Sequence, residues 1–336
     1  MNESSKKIRV DYFQRRARNG SNHSVENVFR NLRDLLVEKT ESHTHISTFV
    51  SSGVFRRLFN LLEAWWRQCA INHVSGDVNF LGILMRKKTC IQTVLDCVHL
   101  ESSSGIKYRI LKWLWLELPE RRCRFMTAIS ECTKQQILKH IECDPDKIVV
   151  IHVPISSRFK RRDKEFNISR PRLLHIGTAP NKNLPRLIEA IRGMDIILDV
   201  IGAKNADYAR LLSQSGVDYT FRSSLSEDEV IAAYEATDIV ALVSTYEGFG
   251  MPIVEAQVTG RVVVAGNVFS LPEVAGDGAC LVDPLDVDSI RQGIRRVISD
   301  AEYRNKLIEN GFENAKRFDP KLIADQYFEL YRKMAN

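Results

Sequence analysis

Ser244-Thr245-Tyr246-Glu247-Gly248-Phe249-Gly250-Met251-Pro252-Ile253-Val254-Glu255 follows directly on the run Asp238-Ile239-Val240-Ala241-Leu242-Val243. A short, continuous apolar run with polar ends reads as a strand buried on both faces of a parallel sheet. Gly248 and Gly250 make a turn, and Pro252 suits the first position of a helix, where its missing N–H is no loss. The segment therefore reads strand, glycine turn, helix, with Glu247 on the turn and Glu255 in the first helical turn. Backbone N–H groups without helical partners, and the positive end of the helix dipole, would face whatever lies above the turn. A nucleoside diphosphate fits that arrangement. Amides of Gly248, Phe249, Gly250 and Met251 would take phosphate oxygens, Glu255 the ribose hydroxyls and Glu247 the attached group. Without any ligand, a glutamate in a first helical turn still gains up to about 1 kcal/mol from the dipole, and Glu247 can be a solvated loop residue.

Outward from this segment, the second half alternates strand and helix. Arg172–Gly177 reads as a strand ending in glycine, followed by a helix over Leu184–Ile191. Asp195–Gly202 and Tyr219–Arg222 are further strands, and Ser226 opens a helix with acidic residues in its first turn. Val262–Ala265 and Cys280–Val282 complete the strands, with a short helix at Pro272 between them. Helices are expected over about 286–300, 301–317 and 320–335. Repeated β-α units with glycine at strand ends argue for a doubly wound parallel sheet.

The first half is less regular but of the same kind. Ile8–Phe13 is a first strand, Arg18–Asn22 a polar loop, and a helix is expected from about Val25 to Val37. His45–Val50, Ile71–Val74, Thr89–Leu95, Met126–Ile129 and Ile148–Val153 are the remaining strand candidates. The stretch 156–170 is polar, basic and poor in apolar residues, which marks a linker. The expected division is a first domain over 1–155, the linker, a second domain over 171–318, and a last helix over 319–336.

Glu247–Ala256, followed by Gly260–Ala265 and by Leu271–Gly276, closely resembles the retaining glycosyltransferases of family 4. The resemblance is strong over 170–335 and weaker before it. It implies an α/β chain of two doubly wound Rossmann-like domains facing across a cleft, the GT-B architecture, with the last helix crossing back onto the first domain. It implies a sugar moved from a nucleotide-sugar, UDP- or GDP-linked, to a saccharide acceptor with the anomeric configuration kept. Surface polysaccharide or glycan assembly is the setting implied. In the family the glutamate pair, here Glu247 and Glu255, binds the donor sugar and the ribose.

Phosphate charge needs a cation as well as amides. Gly177–Leu184 sits where the carboxyl end of a doubly wound strand binds ligands, so Gly177 would let backbone approach and Lys182 would reach a diphosphate. The family motif there reads glycine and then Pro-Arg-Lys-Asn; this chain has Asn181 in place of the arginine. Arg222 ends a nearby strand, close to where relatives hold the base. Gly20 and Ser21, after the first strand, can offer amides to a donor phosphate or serve as a plain turn. Thr93–Asp96 resembles a Thr-Ile-His-Asp string found at the donor sugar, with Asp96 matching and Leu95 in the histidine's place. The catalytic candidates are thus Glu247 and Asp96. No resident cofactor or metal is expected, since Asp286 and Asp288 read as a helix cap.

At 336 residues the chain suits two domains. No apolar run is long enough to cross a membrane, and the first residues lack an apolar signal region, so a cytoplasmic protein is expected. Seven scattered cysteines without a C-x-x-C pair fit reduced thiols. The net charge of +6 is modest, and no nucleic-acid-binding module is present, so nucleic acid is not an expected partner. The basic residues gather in the first half beside aromatics. Phe55–Trp66 is flanked by Arg56, Arg57 and Arg67, and Ile106–Arg124 combines Trp113 and Trp115 with Lys107, Arg109, Lys112, Arg121, Arg122 and Arg124. Such faces suit an anionic bilayer, a lipid-linked acceptor and peripheral attachment, or else they pack on the first sheet. A dehydrogenase is disfavoured because no G-x-G-x-x-G follows either opening strand. A catalytically weak nucleotide-sugar-binding scaffold is the alternative that Asn181 and Leu95 keep open.

Overall fold

The computed structural model describes residues 7–16 and 24–335. The chain forms two units, Met1–Pro154 with Pro320–Asn336, and Ile155–Asp319. Gly20 and Ser21 lie outside the described residues.

Unit 1 holds strands β1 (Ile8–Gln14), β2 (Thr40–Ile46), β3 (Asn72–Val74), β4 (Cys90–Val94), β5 (Phe125–Ala128) and β6 (Ile148–Val150). All are parallel, in the order β2-β1-β3-β4-β5-β6. Alternation along β1 sends Val10 and Tyr12 to one face and Phe13 to the other, and each face has its own apolar layer. The helix Pro320–Ala335 closes the Tyr12 face with Ile323, Tyr327, Leu330 and Tyr331. A string of buried polar groups fastens it. Tyr12 and Tyr331 hydroxyls are 3.0 Å apart, Tyr331 reaches His73 Nδ1 at 2.7 Å, His73 Nε2 reaches Thr93 Oγ1 at 2.7 Å, and Thr93 meets Thr127 at 2.7 Å.

The second strand was expected over 45–50 and lies instead at Thr40–Ile46. It is an edge strand with a mostly exposed polar pattern, so no apolar run marks it, whereas residues 47–50 have already left the sheet.

Unit 2 holds β7 (Arg172–Ile176), β8 (Ile197–Ile201), β9 (Asp218–Arg222), β10 (Ile239–Leu242), β11 (Val262–Gly266) and β12 (Cys280–Val282). The parallel order is β12-β11-β10-β7-β8-β9. The chain winds from β7 to one edge, returns to β10 beside β7, and then winds to the other edge. The loops after β7 and β10 therefore diverge, and a crevice opens at the carboxyl ends of these two strands. Leu173, Leu187, Ile188, Leu198, Val200, Ile239, Ala241, Val264, Ile290 and Ile294 pack one side of the sheet. Ser226 and Glu229 form a reciprocal capping box at the helix Glu227–Ala236.

The polar stretch 156–170 is part of unit 2 rather than a free linker. Its basic residues find partners there: Arg158 pairs with Glu227 and Asp228, Arg162 with Glu235 at 2.8 Å, and Lys164 with Asp238. Phe159 is buried edge-on against Tyr234. Low apolar content hid these contacts because they are mostly ionic.

Candidate functional site

Two loops meet at the reversal point of unit 2. The first leaves β7 through Gly177, whose φ of 101° is left-handed. A Cβ there would lie 2.8 Å from Lys182 Cγ, so the Lys182 stem runs over the glycine and needs it bare. The second leaves β10 through Ser244 and Glu247. Lys182 Nζ lies 2.6 Å from Glu247 Oε1, and Ser244 Oγ donates to the same oxygen at 2.7 Å. Both charged side chains are mostly buried. Such a pair needs further hydrogen bonds to offset its desolvation, and Ser244 supplies one.

Asn181 latches the loops together. Its side-chain amide donates to Tyr246 O at 2.9 Å, and its carbonyl accepts from Thr245 N at 2.8 Å. Asn183, held left-handed at φ 63°, donates to Val243 O and Pro284 O. Ser270 Oγ lies 2.9 Å from both Glu247 O and Phe249 O, fixing the Gly-Phe-Gly turn from behind. None of these polar contacts was anticipated from sequence except the placement of Glu247 and Lys182. Ser244, three residues before Glu247 in one turn, is the signal that could have been read.

Gly250 begins the helix Met251–Thr259 with φ 106°. A Cβ on it would approach Leu271 Cδ2 to 2.7 Å, so both conformation and space exclude a side chain. In this first turn Pro252 carries no N–H and Ile253 N donates to Gly250 O at 2.9 Å, which leaves the Met251 amide as the one at the helix start with no acceptor four residues back. Pro252 is the second helical residue, not the first, and Glu255 is therefore the fifth, on the second turn. The dipole acts within the first turn only, so capping does not account for Glu255.

Glu255 is half-buried, and Oε2 accepts a hydrogen bond from the Tyr234 hydroxyl. Burial pushes its carboxyl up to about 7, against the opposing effects of Tyr234 and Lys182. His175, two residues before Gly177, is fully buried, and that burial together with the Lys182 charge holds its imidazole down at about 4. It is neutral at pH 7.

Other candidates fall differently. The Phe249 side chain is buried edge-on against Phe318, so only its backbone is available to a ligand. Arg222 grips the buried Asp199 on the neighbouring strand and lies on β9, two strands from β7. There its guanidinium compensates the Asp199 carboxylate. Asp96 follows β4 in unit 1 and accepts from Val98 N at 3.0 Å, in a turn just before the short helix Val98–Glu101. Asp286 caps its helix by accepting from Asp288 N.

The helix Val54–Trp66 in unit 1 buries only Asn60 and Ala64, and turns Val54, Phe55, Leu58, Phe59, Leu62, Trp65 and Trp66 to solvent. Phe55 is 88% exposed and Trp66 81%. The apolar residues recur at helical spacing but on the outer face, the reverse of a core helix. In the second aromatic segment Ile106, Ile110 and Trp113 are exposed, while Leu116 is buried and Trp115 packs on Phe80 and under Arg57. Among the described residues no helix is long and apolar enough to cross a membrane.

The Anabaena protein HepE, solved with UDP and glucose, superposes with a TM-score of 0.77 over 97% of this chain and 100% of its own, at 17% identity. WaaG, a glycosyltransferase involved in lipopolysaccharide biosynthesis, gives 0.75 over 96% and 99%, at 14% identity. At such identities the likeness shows the fold, which is GT-B. The MMP α-(1→4)-mannosyltransferase of Mycolicibacterium hassiacum is 29% identical over 62% of this chain and 54% of its own length. The O-antigen chain mannosyltransferase B of Escherichia coli is 26% identical over 62% and 60%. The match thus spans little more than half the length of these relatives. The family model for glycosyl transferases group 1 matches residues 156–314, the stretch that carries Lys182, Glu247 and Glu255. Over residues 156–314 this chain is therefore similar to the group 1 glycosyl transferases.

Proposed function

We propose that the protein is a retaining glycosyltransferase that moves a sugar from a nucleoside diphosphate to a saccharide acceptor. The carrying observation is the pairing of Lys182 and Ser244 with Glu247 at the reversal point, in the turn that leads into the helix carrying Glu255. In this reading Glu255 accepts from the ribose hydroxyls and Glu247 from the hydroxyls of the donor sugar. Lys182 and the amides of Gly250 and Met251 stabilise the diphosphate as it leaves. The bond between the anomeric carbon and the phosphate oxygen breaks, and the acceptor oxygen bonds to that carbon on the same face. The acceptor's proton passes to the departing phosphate oxygen, so no side-chain base and no metal are needed. Asp96, by its match to the family string, is the candidate from unit 1 at the donor sugar. The names of the relatives, mannosyltransferases among them, support sugar transfer and put mannose beside glucose among the donors to try.

The acceptor in this reading is lipid-linked, and the protein attaches peripherally to an anionic cytoplasmic leaflet. The support is the exposed apolar face of Val54–Trp66, with Arg56 and Arg57 on the same helix. The experiment is a thermal-stability titration with UDP, GDP and their glucose and mannose conjugates, with and without magnesium. A ligand that binds the native state raises the melting temperature by mass action. Stabilisation by one nucleotide series, equal without magnesium, is expected; no response at millimolar ligand would sink the donor assignment.

A further inference from the structure

Glu255 is held by a group that does not face the ligand. Tyr234 is 0% exposed on the helix Glu227–Ala236, and its ring is fixed edge-on to Phe159 at 5.3 Å. A phenol in such a place needs a polar partner, and the Glu255 carboxylate is the partner present. The hydroxyl occupies Oε2 and leaves Oε1 for a ligand. Burial raises the phenol well above its usual range, so Tyr234 stays a donor at every working pH. We propose that Tyr234 is a positioning residue for Glu255, and that the pair couples nucleotide-sugar binding to loss of a proton from Glu255. This rests on the ribose role given to Glu255 above.

The coupling follows from what a cis-diol requires. An ionised carboxyl is acceptor-only and can take the Tyr234 hydroxyl on Oε2 and the diol on Oε1, whereas a proton on either oxygen puts a donor against one of those hydroxyls. The free site does not favour that ion: burial pushes Glu255 up to about 7, with Glu227 adding to the rise. Tyr234 and Lys182 oppose it, and they are the two groups that stabilise the charged form. A bound diol therefore expels a proton when the pH is below about 7 and finds the carboxylate ready above it.

The test uses UDP-glucose and GDP-mannose, whose diphosphate diesters carry no group that titrates near neutrality. Calorimetry of the full chain from pH 5.5 to 8.5, in buffers of differing ionisation heat, reads affinity and proton release together. Affinity is expected to rise about tenfold per pH unit below the break and to level off above it. Release should approach one proton on the acid side. In Tyr234→Phe the ion loses its hydrogen bond, so the break moves to higher pH, while Glu255→Gln binds weakly with no break. If the parent binds with a flat pH response and no proton release, the coupling is wrong and the donor site survives. A break that Tyr234→Phe, folded by its circular dichroism, leaves in place removes Tyr234 from the role. Failure of both sugar nucleotides to bind at any pH overturns the donor reading itself.

Discussion

Glu247 draws two polar partners from different loops, and that convergence separates it from a solvated loop residue. Lys182 reaches it from beyond β7, and Ser244 from the start of its own turn. Replacing Glu247 by Gln keeps the size and the Ser244 bond but removes the charge. Turnover with a sugar nucleotide is expected to fall by about a hundredfold or more, a larger effect than the loss of stability from leaving Lys182 without its carboxylate. Parent-like initial rates from the variant would remove Glu247 from the reacting sugar. The glutamates and Lys182 are legible in sequence because one local pattern, strand then glycine turn, fixes each of them. Tyr234 and Ser270 are not, since their contacts come from other elements brought in by the sheet. Asn181 shows the opposite failure. Read as a missing positive charge, it is a latch between loops, and its amide makes bonds that a guanidinium would make differently.

At the scale of the element, the helix Pro320–Ala335 and the helix Val54–Trp66 are opposites. The first is pinned by buried polar groups and the second exposes its apolar side. His73 in the pin is pushed down to about 3 by burial, from an ordinary value of 6.5. The unfolded chain therefore binds more protons between those values, and stability rises with pH across that window. The contribution is complete above about 6.5 and is lost as the pH falls toward 3. Urea unfolding followed from pH 4 to 7 should show this slope, at most about 1.4 kcal/mol per pH unit for one group. Tyr331→Phe removes two hydrogen bonds, including the one to His73, and is expected to cost about 1–3 kcal/mol at pH 7. An unchanged unfolding midpoint would mean the string contributes nothing. On the other helix, Phe55→Ser with Trp66→Ser should weaken sedimentation with anionic vesicles at least about tenfold, since each side chain carries roughly 1.5–3 kcal/mol of burial. Turnover on a soluble acceptor should stay at the parent rate. Vesicle binding that survives both changes counts against the membrane face. Periodicity alone gave the helix but not its direction, because a buried stripe and an exposed one share a spacing of 3.6 residues.

Across the whole molecule, unit 2 was legible nearly element by element and unit 1 less so. The strands of unit 2 are mostly continuous apolar runs, and its helices start at readable caps such as Ser226 and Asp286. Unit 1 places polar residues inside, including Asn72, His73, Gln92, Thr93 and Thr127, so its strands carry a weaker apolar signal. It also borrows its last helix from beyond unit 2. A chain ended at Asp319 would lose Ile323, Tyr327, Leu330 and Tyr331 from that core. At roughly 1.5–3 kcal/mol per large apolar side chain, the loss matches the entire stability of an ordinary domain. Limited proteolysis of the truncated chain should cut within 7–154 and spare 155–319, with thermal stabilisation by a sugar nucleotide retained. Equal resistance of both units would show that the helix is dispensable.

That borrowed helix also fixes a sequence of events during synthesis. Domains usually fold in the order in which they leave the ribosome. Here residues 155–319 are all out, with their six-stranded sheet complete, before the first residue of Pro320–Ala335 emerges. The unit translated first is the last to close, and until then the sheet face that carries Val10 and Tyr12 is covered only in part, by Phe29, Leu32 and Leu36. Nascent chains of this protein therefore present a binding surface for chaperones on the part that is already oldest, and slow translation near residue 320 would prolong that exposure.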